Sequence, residues 1–412
     1  MKKKIIYIYQ VWQYILIYTA ISFGGMAMPI IIGKELFVIL TFIIGLAYCL
    51  YKGDVLNNKY LLFVLILTSS LFTTLFASNL SIGSTLSITS TLLFTYAVIV
   101  ADSKNFLKRY LTIMFIIATT SIVLYTLTRL FGTSFFSPIF PYLLKGLNEN
   151  SPNGIYSFGG FLYRWTFIHS ERNCGPFGEP GQYQGVLSVA LYFALYNKRI
   201  FNTIKEQMTY IVVFTIAMIT TLSTNGYIAL SIIYIGYFSQ PHHRNRIKKQ
   251  VIKLLYAILA LLLFTELGKN FLRIAIYDKF FDSNQLSITT NTTGARTNGI
   301  IEMYHYVLNN PTAILGLGYD SLHDLNFDTV SGLPLLLLAI GIIPFATLFI
   351  GIAKLSKYSV NNTLEYIIKI LLFLSMGFGQ PHIMNPSLFF MLFYEYIRKT
   401  DRQTLRHKTN KI

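Results

Sequence analysis

The stretch from His169 to Gln184, His-Ser-Glu-Arg-Asn-Cys-Gly-Pro-Phe-Gly-Glu-Pro-Gly-Gln-Tyr-Gln, lies between long apolar runs and carries the residue types that hold anions. Arg172 offers a planar fork of donors that matches phosphate or carboxylate oxygens. Pro180 suits the first position of a helix, because its missing N–H would be unpaired there and its φ is already helical. Glu179 then stands at a helix mouth whose free N–H groups and positive dipole end favour an anion. Arg164, His169, Glu171, Arg172 and Glu179 crowd into sixteen positions, flanked by Gly175, Pro176, Gly178, Pro180 and Gly181, which force a tight backbone path. The competing reading is a surface ion pair near lipid headgroups, which is worth little.

A second constellation opens at Gly294-Ala-Arg296 and reads as a helix ending before Pro311. At helical spacing Arg296 shares a face with Ile300, Met303, Tyr304 and Val307, whereas Glu302, His305 and Asn309 lie opposite. An arginine on an inward apolar stripe needs an anionic partner, unless it snorkels its head into water. Gly316-x-Gly318 marks a turn. The following stretch from Asp320 to Asp328 matches no calcium-loop spacing, so no metal site is assigned, and it offers His323 or Asp324 as a general base. Ser223-Thr-Asn-Gly226 reads as a turn whose hydroxyls satisfy freed backbone, and His382 as interfacial.

The elements that must hold these residues are membrane helices. At 53% hydrophobic, 12% charged and mean hydropathy +0.52, the chain has lipid as its main solvent. Apolar segments fall at 11–32, 36–51, 60–77, 82–101, 110–131, 182–196, 208–222, 227–238, 251–267, 332–353, 366–378 and 387–397, giving about twelve transmembrane helices in an all-α polytopic fold. Lys and Arg concentrate in alternate loops, from Lys2-Lys3-Lys4 through Lys104, Lys108 and Arg109 to the basic tail, so the net charge of +17 is a topology signal and implies no nucleic acid. Both termini are then cytoplasmic. The organisation is five helices in 1–131, a long outer loop at 132–181, four helices in 182–267, a second long outer loop at 268–331, three helices in 332–397 and a basic cytoplasmic tail at 398–412. The N-terminal basic-apolar run reads as a retained span, since no small-x-small cleavage site follows it. Cys49 and Cys174 fall on opposite sides and form no disulfide. Lys369 is the single charge well inside a span.

Taken together, these residues resemble the O-antigen polymerase and ligase superfamily of bacterial surface-polysaccharide assembly, the Wzy-type and WaaL-type enzymes. Arg172-Asn-x-Gly-x-Phe-x-Glu179-Pro180-Gly181-x-Tyr183 is similar to the R-N-x-G-x-F-x-E-P-G segment of capsule and O-antigen polymerases. Ser223-Thr-Asn-Gly-Tyr227 is similar to their S-x-T-G-Y turn, and Gly294-Ala-Arg296 to their S/G-G-R segment. Pro311, Gly316-Leu-Gly318, Ser331-Gly-Leu and Gly341-Ile-Ile follow in the same order. The resemblance runs from about Arg172 to Pro386. The ligase branch has His-Asn where this chain reads Asp328-Thr-Val-Ser331, a departure that favours a polymerase.

The resemblance implies the helical architecture of C-type lipid-sugar glycosyltransferases, with two long outer loops, in the bacterial plasma membrane. The implied reaction joins undecaprenyl-diphosphate-linked oligosaccharides at the outer face, without cofactor or metal, with the lipid bilayer and a chain-length regulator as partners. Catalytic roles then fall to Arg172, Glu179, Arg296 and His323. Arg164, Gly175, Pro180, Gly181, Tyr183 and Tyr304 line the substrate. Arg172 and Arg296 would meet the charge of the departing diphosphate, with Glu179 orienting Arg172 or, less favoured, taking the acceptor proton. Two alternatives are transfer of a finished glycan to another acceptor and, in a different class, a lipid-linked glycan flippase. A flippase requires ionisable residues along the middle of the spans.

Overall fold

The computed structural model describes residues 2–52, 58–77, 81–133, 155–156, 160–166, 168–240, 245–266, 269, 281–282, 285–288, 293–325, 331–360, 362–380 and 383–409. These are helical apart from two short antiparallel strand pairs, β1 (Ile155–Tyr156) with β2 (Trp165–Thr166) and β3 (Phe281–Asp282) with β4 (Gln285–Ile288). The chain forms two compact units, one of Met1–Ile113, Glu302–Phe327 and Gly332–Ile412, the other of Met114–Ile301 with Asp328–Ser331.

In the first unit, α1 (Lys2–Ser22), α2 (Met28–Ile32), α3 (Lys34–Lys52) and α4 (Lys59–Ala77) precede α5 (Ile82–Ala101), whose residues from Ile88 to Ala101 are all buried. Helix α3 lies so close to α5 that a Cβ on Gly45 would stand 2.8 Å from the Leu93 Cβ, and Thr41 and Ser90 share a hydroxyl hydrogen bond of 2.8 Å. Small residues and hydroxyl pairs are how helices associate where burial from water gives no drive. The start of α6 (Phe106–Phe131) packs against Phe390 and Tyr394 of the last helix, with ring centroids 4.8 and 5.2 Å from Phe106. Groups that the charge pattern assigns to one membrane side stand together at the end of α5. Lys52 Nζ donates to the Val100 carbonyl at 2.6 Å, Arg109 pairs with Asp102 at 2.9 Å, and Ser103 donates to Asp401 at 2.6 Å.

Two of the expected spans are broken. The 11–32 segment turns at Gly24 and Gly25, the latter at φ +100, between α1 and α2. The 332–353 segment breaks at Gly341, which at φ +81 separates helices of 9 and 17 residues, Gly332–Ile340 and Ile342–Tyr358. An unpaired carbonyl in a bilayer costs several kcal/mol, so such a break persists only where another segment supplies donors. Here the Leu317 and Gly318 N–H groups donate to the Leu338 and Ala339 carbonyls at 2.7 and 3.0 Å. Gly316, at φ +112, has no room for a side chain, because a Cβ would stand 2.8 Å from Thr74 Cγ2. A Cβ on Gly341 would collide with the Leu315 carbonyl. The Gly316-x-Gly318 turn is therefore the partner of a discontinuous helix.

The second unit holds the rest of α6, then α7 (Pro180–Tyr196), α8 (Ile204–Thr220), α9 (Thr224–Ser239) and α10 (Asn245–Phe264). Helix α7 is buried along almost its whole length. Gln207 donates to the Ala194 carbonyl at 2.8 Å, and Thr215 shares a 2.6 Å hydrogen bond with Tyr234. α11 (Thr293–Asn309) and α12 (Tyr319–Asp324) come from the segment read as the second outer loop.

Four described helices are long and apolar enough to cross a membrane: 34–52, 59–76, 82–101 and 106–131. Helices α7, α8 and α9 have 17, 17 and 16 residues, about 25 Å at the helical rise, short of a hydrocarbon core of about 30 Å.

Candidate functional site

The segment from Asn173 to Tyr183 folds as one interlocked piece. Its anchor is Asn173, fully buried. Its Nδ2 donates to Thr220 Oγ1 at 3.0 Å and Ser121 Oγ at 3.3 Å, and its Oδ1 accepts the Gly175 N–H at 2.9 Å. Gly175 takes φ +55, and a Cβ there would stand 2.8 Å from the Tyr183 ring, so conformation and space both require glycine. The Tyr183 ring stacks on Phe177 at 5.5 Å, and its hydroxyl shares a 2.7 Å hydrogen bond with Ser121. Gly175 and Tyr183 thus stand in the structure as a packing pair that sets the path of the loop. Pro180 is the first residue of α7 and Glu179, exposed, its N-cap, as the sequence pattern requires.

The charges around this piece are felt at one thiol. Arg164, Arg172 and Glu179 all act electrostatically on Cys174, which is 1% exposed. Burial, the largest effect, pushes that thiol up to about 12 against the pull of the arginines, so it stays protonated and is no nucleophile. Arg164 is fixed from β2, its N–H donating to the Gly175 carbonyl at 2.6 Å. The residue is 4% exposed and its Nε has no hydrogen-bond partner among the described residues. Burial lowers its pKa from the ordinary arginine value, although a guanidinium keeps its proton even so. Among the described residues no carboxylate pairs with Arg164.

Arg172 is held differently. Its Nε donates to the Thr221 carbonyl at 3.1 Å, at the turn where α8 ends, Leu222 takes φ +49 and α9 begins. The sequence places this turn at Ser223-Thr-Asn-Gly226; it lies at Thr221 and Leu222 instead, and Thr224, Asn225 and Gly226 already belong to the first turn of α9. The group that the freed backbone receives at Thr221 is an arginine, and Ser223, the N-cap of α9, makes no side-chain cap bond. Glu171 forms its ion pair with Arg129 of α6, so it is not part of the cation pair. His169 shares a turn with Arg172, whose N–H donates to the His169 carbonyl at 2.9 Å. Burial first and Arg172 second lower the His169 pKa to about 4.

The second constellation is placed only in part. Arg296 lies in α11 and His323 in α12, with side chains outside the described residues, as is Asp328. The inward face expected for α11 narrows to Met303, 3% exposed, while Ile300 and Tyr304 are 37% and 62% exposed. A periodic stripe shows which side of a helix is apolar but not how much of it a neighbour covers. Tyr304 therefore stands open instead of packed. Lys369 is buried near the start of the helix at Thr363–Gly379, its Nζ 3.5 Å from Ser359 Oγ. Gln184 and Asn225, both buried, carry amide nitrogens without partners, and sequence reading passed over them. A polar residue one turn inside an apolar helix was the available signal.

A buried guanidinium with no carboxylate partner among the described residues can hold an anion with two or more oxygens. Comparison with family models, curated proteins and solved structures finds no match.

Proposed function

We propose that the chain is a membrane glycosyltransferase that polymerises polyprenyl-diphosphate-linked oligosaccharides at the outer face of a bacterial plasma membrane. In this reading twelve spans, two of them broken, frame the loop at Arg164–Pro180, and both termini are cytoplasmic. The observation that carries the proposal is Arg164: a cation buried without a carboxylate is unfavourable unless an anion arrives. Arg172 stands in the same electrostatic neighbourhood. A diphosphate is the anion that the resemblance supplies, and two planar forks suit its oxygens.

The acceptor hydroxyl attacks the anomeric carbon of the donor, and the lipid diphosphate leaves with its charge met by fixed guanidinium groups. Arg296, on a helix of the same unit up to Ile301, is the further cation assigned to that leaving group. Transfer to a different acceptor shares this chemistry. A strain lacking the chain should display single-unit caps in place of long surface glycan. Purified protein should lengthen a lipid-linked oligosaccharide in the presence of chelator. Complete loss of surface glycan in that strain, or lengthening that requires added magnesium, would refute the reading.

A further inference from the structure

The proposed reaction also needs a group to receive the acceptor proton, and the best-placed candidate among the described residues is His169. The hydrogen bond from the Arg172 N–H to the His169 carbonyl closes a turn that puts imidazole and guanidinium on one short piece of backbone. The imidazole is half-buried, and its nitrogens have no hydrogen-bond partner among the described residues. The neighbouring groups are poorer candidates. The Cys174 thiol is buried and protonated, Glu171 is engaged by Arg129, and Glu179 sits exposed at the helix mouth.

We propose that His169 takes the proton of the incoming sugar hydroxyl while an anion is held at Arg172, its partner in the same turn. This rests on the polymerase reading. In the step, the hydroxyl oxygen bonds to the anomeric carbon while its proton passes to the imidazole. The bond from that carbon to the diphosphate oxygen breaks, and the electron pair leaves with the diphosphate. The imidazolium then returns its proton to bulk water.

The activation follows from the groups that act on the ring. Burial and the Arg172 charge both oppose protonation of the ring, and Arg172 is the one titratable group acting on His169 among the described residues. A diphosphate bound to Arg172 cancels that repulsion and adds charge of the opposite sign, so the ring gains proton affinity. The base strengthens only when the leaving group is in place. By linkage, the anion must bind more tightly as His169 becomes protonated.

The test uses the full chain in detergent with 13C-labelled histidine, inorganic diphosphate as probe, and the His169 signal assigned by its loss in His169→Gln. Its titration should move up by about one unit or more when diphosphate is bound. In the polymerisation assay His169→Gln should lose roughly 10²- to 10⁴-fold in turnover while diphosphate affinity at neutral pH stays unchanged. If diphosphate binds but the titration stays put, or if His169→Gln keeps its turnover, the role of His169 is overturned and the polymerase reading stands. If the unaltered protein binds no diphosphate, both fall.

Discussion

Arg164→Met should do two things that a merely structural arginine would not do together: stabilise the ligand-free protein and abolish turnover. The Nε of Arg164 is buried without a partner among the described residues, and an unsatisfied buried donor costs about 1 to 3 kcal/mol. Methionine keeps the length and packing of the aliphatic stem and removes both the orphaned donor and the buried charge. The variant should therefore unfold later by about that amount in a thermal or denaturant series in detergent, with no ligand present. If the guanidinium meets leaving-group charge, its loss forfeits about 2 to 4 kcal/mol of transition-state stabilisation, or roughly 30- to 1000-fold in rate. Arg172→Met is the control with opposite sign for stability, because it strands the buried Thr221 carbonyl and should cost about 1 to 3 kcal/mol. Adding diphosphate should stabilise the parent protein and leave Arg164→Met nearly unmoved. A ligand-free Arg164→Met that unfolds earlier than the parent would show that the guanidinium serves a protein contact, and the anion argument would fail.

Arg172→Lys and Arg296→Lys keep charge but lose the planar fork, and each should slow turnover per folded protein by roughly 30- to 1000-fold; normal glycan length in either variant would return that arginine to a structural role. Gly175→Ala forces a left-handed φ on a residue with a side chain and drives its Cβ against a Tyr183 ring fixed by Phe177 and Ser121. It should destabilise by about 2 to 5 kcal/mol, read as earlier unfolding. His169 has its folded pKa depressed from 6.5 to about 4, so between those values the unfolded chain binds the proton that the folded one refuses. Stability should then fall as pH drops from 6.5 to 4, and His169→Gln should flatten that slope. A membrane-impermeant thiol reagent on intact cells should label Ile168→Cys, 67% exposed, and spare exposed Arg199→Cys; the reverse pattern would invert the topology.

What sequence could reveal depended on how local each cause was. The start of α7 at Pro180 and the turn at Ser223 were readable because proline geometry and a polar interruption act within a few residues. The burial of Arg164 was not, since it follows from β2 lying against the Gly175 carbonyl, a partner eleven positions away. The partner of Arg172 Nε, the Thr221 carbonyl, was equally hidden at a separation of 49. The break at Gly341 was hidden for a related reason. Hydropathy averages over a window, and one glycine hardly changes that average, whereas the donors that stabilise the break sit at Leu317 and Gly318. The count of twelve spans treated each apolar run as a single rod, which 11–32 and 332–353 are not.

The broken helix at Gly341 also bears on how the protein is built into its membrane. A helix of 9 residues reaches about 14 Å, less than half of a hydrocarbon core, so if 332–353 is one of the twelve proposed spans, an insertion machinery sorting segments by apolar length must take 332–358 as one piece. The chain order then favours assembly, because Gly316–Gly318 is synthesised before the segment it will interrupt. Insertion as one straight rod, followed by a bend once the Leu317 and Gly318 donors dock, leaves no backbone carbonyl stranded in lipid at any stage. Substitutions at Gly316 or Gly341 would accordingly fail after insertion, leaving a full-length, membrane-integrated chain arrested in an unbent form that degradation machinery can recognise.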